Sequence, residues 1–378
     1  MRKLLLCGAA AVLVTTMVVA SAKAADYTVV VLQALTGVGA FAGAEAASGM
    51  KVAAEEINAS GFMGPGNKLN IMVEDDASDR AQAVTLVSRY AVDPRVLMIL
   101  GPTIGPTAVP AAQVANERKI VVHPLANTLA VLAAGPFAFI SSQPPTVTMP
   151  LLAQFTAEKL GVKRCAAMYL QDNESYVDLH RIFKELVEKR GVQMIESVGV
   201  RSSETDFSAL ATRIVAAKPD CVTFFSNAPV AGNVAAQLRT AGLPASVKMI
   251  GQSGLATPDL IKFGGAAVEG LVFNADWAPG GAFPRAKEFD ENYRKKTGRA
   301  PDNYSAMGHS LMYVAATAIK GAGANPTRDS VREQLAQTKD VPVVMGTGLY
   351  SRDADRIPHT GMVVLQVKDG KFELLGLQ

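Results

Sequence analysis

Short apolar runs alternate with amphipathic stretches along most of the chain. "YTVVVLQAL" (27–35), "KLNIMVEDD" (68–76), "RVLMILG" (95–101) and "KIVVHP" (119–124) read as strands. Between the first two, Met50, Ala53, Ala54 and Ile57 fall at i, i+3, i+4 and i+7, the spacing of one buried helix face. Ser78 or Asp79 can cap the helix after the second strand, and 106–118 reads as the helix after the third. The pattern restarts near residue 148, with strands near 164–170, 192–199, 221–225 and 247–250. Helix stripes run through Leu179, Ile182, Phe183, Leu186 and Val187, then Phe207, Leu210 and Ile214, then Val234, Leu238 and Ala241. "MVVLQVKDGKFELLGL" (362–377) reads as a hairpin turning at Asp369-Gly370. Strands apolar throughout, separated by helices, predict α/β architecture with parallel sheets covered on both faces.

The first residues change the address. Arg2 and Lys3 precede an apolar run to Ala20, and Ala22-Lys23-Ala24 is a small-x-small cleavage pattern. Residues 1–24 read as a secretory signal peptide. Cleavage leaves 354 of the 378 residues, enough for two domains. Three cations (Arg2, Lys3 and Lys23) and no acid leave with it, so the formal charge of +3 falls to zero. A neutral chain without basic blocks gives no electrostatic reason to expect nucleic acid. Two cysteines remain, Cys165 and Cys221, each opening a strand-like run. Export permits a disulfide, but buried free thiols are the favoured reading, cysteine being a common core residue.

Three stretches read as chain crossings between domains: "SSQPPT" (141–146), "NADWAPGG" (274–281) and "MGTGLYSRDADR" (345–356). Catalytic and metal chemistry is thin. "GQSGL" (251–255) has Leu255 where a nucleophile elbow needs glycine. The four histidines form no pair at metal-ligand spacing, and "EDDASD" (74–79) lacks the glycine and distal glutamate of a calcium loop. No metal or cofactor is expected. "ILGPTIGPTAV" (99–109) is more informative. It carries a strand's carboxyl end into a helix, the place where open α/β sheets bind ligands. Free N–H groups there favour an anion, with Gly105 allowing close approach and Thr103 and Thr107 offering hydroxyls. Asn127 and Thr128, at the end of the next strand, can complete such a clamp.

In order, "LTGVGAFAG…GMKVAAEEINASG…LNIMVEDDASDRAQAV…LGP…DFSAL…PDCVTFF…AAQLRTAGL" resembles the periplasmic leucine/isoleucine/valine-binding protein family, the type I solute receptors of ABC importers. The resemblance covers nearly all of the chain after residue 24. It implies two doubly wound parallel-sheet lobes joined by three crossovers, one lobe of residues 25–143 and 277–345, the other of 144–276 and 346–378. It implies a periplasmic, non-catalytic monomer that traps a small molecule between the lobes and presents it to an inner-membrane permease. By position, Gly105 lies in the loop where a serine commonly binds an amino acid's carboxylate. Leu125 and Asn127 match the rest of that clamp, and Tyr176 matches an aromatic that closes from the second lobe. Asn227 or Ala228 falls where amino-acid binders often have a tyrosine. Ser253 falls where they commonly have an acid for the ligand's ammonium. Phe41 and Trp277 are further candidate walls. Lacking that acid, the chain is expected to bind an aromatic or aliphatic organic acid. An amino acid is the alternative, and a secreted hydrolase using Ser253 or a sensor on a signalling receptor are readings of other kinds.

Overall fold

The computed structural model describes residues 25–377; the cleavage signal at Ala22–Ala24 lies outside them. The chain opens with β1 (Asp26–Gln33), α1 (Ala40–Ala59), β2 (Lys68–Asp75), α2 (Arg80–Ala91), β3 (Val96–Leu100), α3 (Gly105–Glu117), β4 (Val121–His123) and the short α4 (Leu129–Ala133). The four strands form one parallel sheet in the order β2-β1-β3-β4. Successive residues of β1 serve its two faces: Val29 and Val31 pack with α1, while Val30 and Leu32 join the core beneath α2 and α3. This two-sided burial explains why the strand is apolar throughout. Asp79, not Ser78, caps α2, its carboxylate accepting from the Gln82 N–H at 2.7 Å. Ser78 instead accepts from the Gly39 N–H.

The second series runs α5 (Pro145–Gln154), β5 (Arg164–Leu170), α6 (Glu174–Glu188), β6 (Gln193–Val200), α7 (Ser208–Ala216), β7 (Cys221–Phe225), α8 (Ala228–Thr240), β8 (Lys248–Gly251), α9 (Asp259–Gly264) and β9 (Val272–Ala275). The chain then returns to the first sheet with α10 (Pro284–Thr297), α11 (Asn303–Gly321) and α12 (Arg328–Ala336). Three short strands follow, β10 (Val341–Pro342), β11 (Leu349–Arg352) and β12 (Pro358–His359). It ends on the hairpin β13 (Val363–Lys368) and β14 (Lys371–Leu377), turning at Asp369 (φ 51°) and Gly370 (φ 66°). The hairpin extends the second sheet in the order β14-β13-β9-β8-β7-β5-β6.

The third crossing lies later than the sequence places it. Tyr350 is buried in the first lobe's core, and Arg352 donates to the Ile140 carbonyl at 2.9 Å. Residues 345–356 therefore belong with the first lobe, and the chain leaves it only after His359. The crossings lie side by side. The Gly346 N–H donates to the Asp276 carbonyl (2.7 Å), the Thr347 N–H to the Thr360 carbonyl (2.8 Å), and the Thr360 N–H reaches the Gln143 side chain (3.5 Å).

Cys165 and Cys221 form a disulfide, against the free thiols expected from sequence. They are register partners on the adjacent strands β5 and β7, with Cα atoms 4.6 Å apart. The sequence showed two buried strands but not that they are neighbours. The bridge closes a separation of 56 residues, a loop whose lost unfolded-state entropy is worth up to about 4 kcal/mol. The Cys165→Ser/Cys221→Ser variant should therefore melt well below the oxidised protein. A melting temperature equal to that of the oxidised protein would contradict this.

Asp302 caps α11 through a capping box with Ser305, its carboxylate accepting from the Ser305 N–H at 2.8 Å. Burial pushes its carboxyl from the usual 3.8 to about 7. The folded state thus holds this proton more tightly than the unfolded chain. The associated stability is full below about pH 4 and is lost as pH rises towards 7. Asp302→Asn keeps a competent cap without the charge. Its melting temperature should fall less than that of the wild type between about pH 5 and pH 8. Parallel pH profiles for the two proteins would argue against the buried proton.

Candidate functional site

The lobes meet across a cavity of about 90 Å3 walled by both. A cavity of this size is several times what holds one water, which suits a small ligand in the closed lobes. From the first lobe, Phe41 near the start of α1, Tyr304 and Met307 on α11, and the loops after β3 and β4 face inward. From the second come Asn173, Ser175, Tyr176 and Leu179 at the start of α6, and Gln252, Ser253 and Gly254 after β8. Ser142 and Asp276 enter from the first and second crossings. The Phe41 and Tyr304 rings meet edge to face at 5.6 Å.

The α3 N-terminus is the most directional feature. Its N-cap residue, Ile104, provides no side-chain cap, and Pro106 has no N–H to give. Thr107 and Ala108 donate back to the Ile104 carbonyl. Among the described residues the Gly105 N–H finds no partner, and it stands at the positive end of a 13-residue helix. Gly105 also sits against the other lobe, since a Cβ added there would lie 2.7 Å from the Ser175 Oγ.

The proposed residues divide. Phe41, Thr103, Gly105, Leu125, Asn127, Tyr176 and Ser253 line the cavity. Thr103, however, has no hydroxyl to spare: it donates to Gln33 and accepts from the Ala34 N–H, each at 2.8 Å. The Leu125 N–H is likewise used, donating to the Pro102 carbonyl. Asn127 donates from its side chain to the Gln143 carbonyl and keeps its own N–H free. Three residues stand outside the wall. Thr107 is fully buried and donates to the Ile104 carbonyl. Asn227 caps α8, accepting from the Val230 N–H at 3.0 Å. Trp277 packs with Phe289 and Val344 on the far side of the second crossing.

Sequence reasoning missed Ser142, Ser175, Tyr304 and, above all, Asp276. Among the described residues, Asp276 is the only charged side chain in the wall. Burial pushes its carboxyl from 3.8 to about 6, against a hydrogen bond from Asn303 that lowers it. Ser253 sits in a short turn held by Gln252, whose side chain accepts from the Gly254 N–H and donates to the Ser226 carbonyl. Among the described residues no histidine joins Ser253 in the wall, so they assemble no serine-hydrolase arrangement there.

The periplasmic binding protein family model matches residues 26–371. The chain is similar to the Leu/Ile/Val-binding protein homolog 3 of Brucella melitensis biotype 1, 27% identical over 363 residues and 95% of each chain. It is similar also to an amino acid binding protein of Pseudomonas aeruginosa, 26% identical over 357 residues and 93% of each. Among solved structures it shares its fold with a leucine binding protein of Thermotoga maritima (TM-score 0.85, 24% identity, 93% of this chain and 98% of that one). A solute binding protein of R. palustris in complex with benzoate shares it too (TM-score 0.82, 17% identity, 93% and 96%). The chain belongs to the periplasmic binding protein family, as a solute-binding component rather than an enzyme.

Proposed function

We propose that the protein captures a small carboxylate-bearing solute in the periplasm, closes its two lobes over it by bending at the three crossings, and delivers it as a monomer to an inner-membrane ABC permease. The observation that carries this reading is the unpaired Gly105 N–H at the start of α3, held inside a cavity that both lobes wall. An anion is the natural partner of such a helix end. The free Asn127 N–H and the hydroxyls of Ser142 and Ser175 supply further donors for the same carboxylate. Phe41, Tyr176, Leu179, Tyr304 and Met307 enclose the body of the ligand, which suits an apolar or flat group. The fold itself does not choose the ligand, because structural relatives include complexes with isoleucine and with benzoate.

Calorimetry on the acid and its methyl ester tests the clamp. Esterification removes the charge that the helix end and hydroxyls recognise. A lost charge-assisted hydrogen bond costs about 1.5–3 kcal/mol, roughly ten- to a hundredfold in affinity. Equal affinities for acid and ester would remove the carboxylate from this account.

A further inference from the structure

A second cavity, of about 310 Å3, lies on the Trp277 side of the second crossing. Its wall is mostly apolar and comes from three places: Arg294, Ala300 and Asn303 of the first lobe, Ile261, Lys371 and Phe372 of the second, and Trp277 between them. Trp277 is 2% exposed, yet its indole N–H finds no acceptor among the described residues. A buried donor left unpaired is costly, so an oxygen brought to it is bound firmly. Two cations stand in the same wall. Arg294 is held by Asp290 at 2.7 Å. Lys371 meets no carboxylate among the described residues, Glu373 of the same hairpin being paired with Lys368 (2.9 Å). The one acid there among the described residues is Asp302, whose carboxyl burial pushes up to about 7. An apolar chamber with an unmet N–H and cations at hand suits an apolar body ending in a carboxylate.

The cavity is also tied to the cleft. Asn303 lines it, and the Asn303 Oδ1 accepts from the backbone N–H groups of both Asp276 (2.9 Å) and Trp277 (3.0 Å). Asp276 faces the cleft and Trp277 this cavity. The Asn303 N–H reaches the Ala256 carbonyl of the other lobe at 3.4 Å. Because both lobes wall the cavity, a molecule that fills it prefers the lobes in this arrangement. We infer that the cavity is a second ligand site, for an apolar monocarboxylate, and that its occupant favours lobe closure. The site stands independently of what the cleft binds; its coupling rests on the closure proposed above. A ligand with more affinity for one arrangement shifts the balance towards it, and the effect is reciprocal, so closing the lobes tightens the second site.

The probe is octanoate, added to the full chain freed of its signal at about pH 6, where Asp302 keeps its proton. Trp277 is the single tryptophan, so its emission should shift saturably, and calorimetry should return the same affinity. Octylammonium should bind roughly tenfold more weakly or worse. Two variants at exposed positions should melt as the wild type does and lose most of the octanoate affinity: Ala300→Phe, which fills the cavity, and Lys371→Glu, which reverses its free cation. No saturable binding of octanoate would overturn the site, as would equal affinity for octylammonium or undiminished affinity in both variants. The coupling is tested with Gly105→Cys/Ser175→Cys. The two Cβ atoms would stand 4.0 Å apart, a distance a disulfide spans, so the bridged protein is locked shut. It should be more compact than the wild type by small-angle scattering and bind octanoate several-fold more tightly. A more compact locked protein with wild-type octanoate affinity would overturn the coupling. A locked protein no more compact than the wild type would instead overturn lobe closure and leave the second site standing.

Discussion

The Gly105→Val variant should fold as stably as the wild type yet bind ligand at least tenfold more weakly. Gly105 is the first residue of α3 and does not need a left-handed backbone conformation. Within its own lobe the nearest atom to an added Cβ is the Thr128 Cγ2, at an ordinary 3.9 Å. The obstruction comes from the opposite lobe, where the Ser175 Oγ would lie at 2.7 Å. With the lobes apart the side chain has room, and closing them drives it into Ser175. A branched side chain also crowds the N–H proposed to hold the carboxylate. The penalty should therefore fall on ligand binding and leave the melting temperature of the free protein unchanged. Wild-type affinity in Gly105→Val, measured by calorimetry, would show that the lobes do not meet there in the bound state.

Gly308→Val should have the opposite signature, a large loss of stability before any ligand is added. The helices α1 and α11 pack backbone to backbone. A Cβ on Gly308 would lie 2.1 Å from the Ala46 carbonyl oxygen, and one on Gly49 would lie 1.9 Å from that of Ser305. Backbone atoms cannot rotate out of the way, so the helices would have to separate. Ala46, Met50, Ala53 and Ile57 from one helix and Leu311, Met312 and Ala315 from the other fill the core on which the first sheet rests. Overpacking typically costs about 1–3 kcal/mol, and contacts this close to backbone atoms place Gly308→Val at the upper end. Thermal denaturation should show a drop of several degrees, with Gly308→Ala between it and the wild type. An unchanged melting temperature would mean that this interface is looser than the structure shows.

The βα series were legible because a two-sided parallel strand is apolar throughout and its helices carry one buried stripe, as on α6 at Leu179, Phe183 and Val187. The returning helices were harder to read. Fourteen of nineteen residues of α11 are buried, which erases the helical period, while α10 buries only Ala286, Phe289, Asp290 and Tyr293 within a mostly charged stretch. The strands β10 to β12 are two to four residues long and too short to show alternation. At the site, Gly105 could be proposed because the loop after a parallel strand faces the cleft, while Tyr176 rested on the family resemblance and Phe41 on its aromatic character alone. Other assignments depended on partners far away in sequence. The Thr103 hydroxyl is taken by Gln33, 70 residues earlier. Asp276 and Trp277 are adjacent, yet one faces the cavity and the other packs on Phe289. Consecutive residues at a strand end point to opposite sides, and the sequence alone does not say which side is the cleft.

The most direct test of the account is a crystal structure of the protein with its bound solute. A ligand carboxylate oxygen should lie within about 3 Å of the Gly105 nitrogen, with Phe41 and Tyr304 of the first lobe and Tyr176 of the second in contact with the same molecule. A ligand without a carboxylate, or one whose carboxylate faces away from the start of α3, would contradict it.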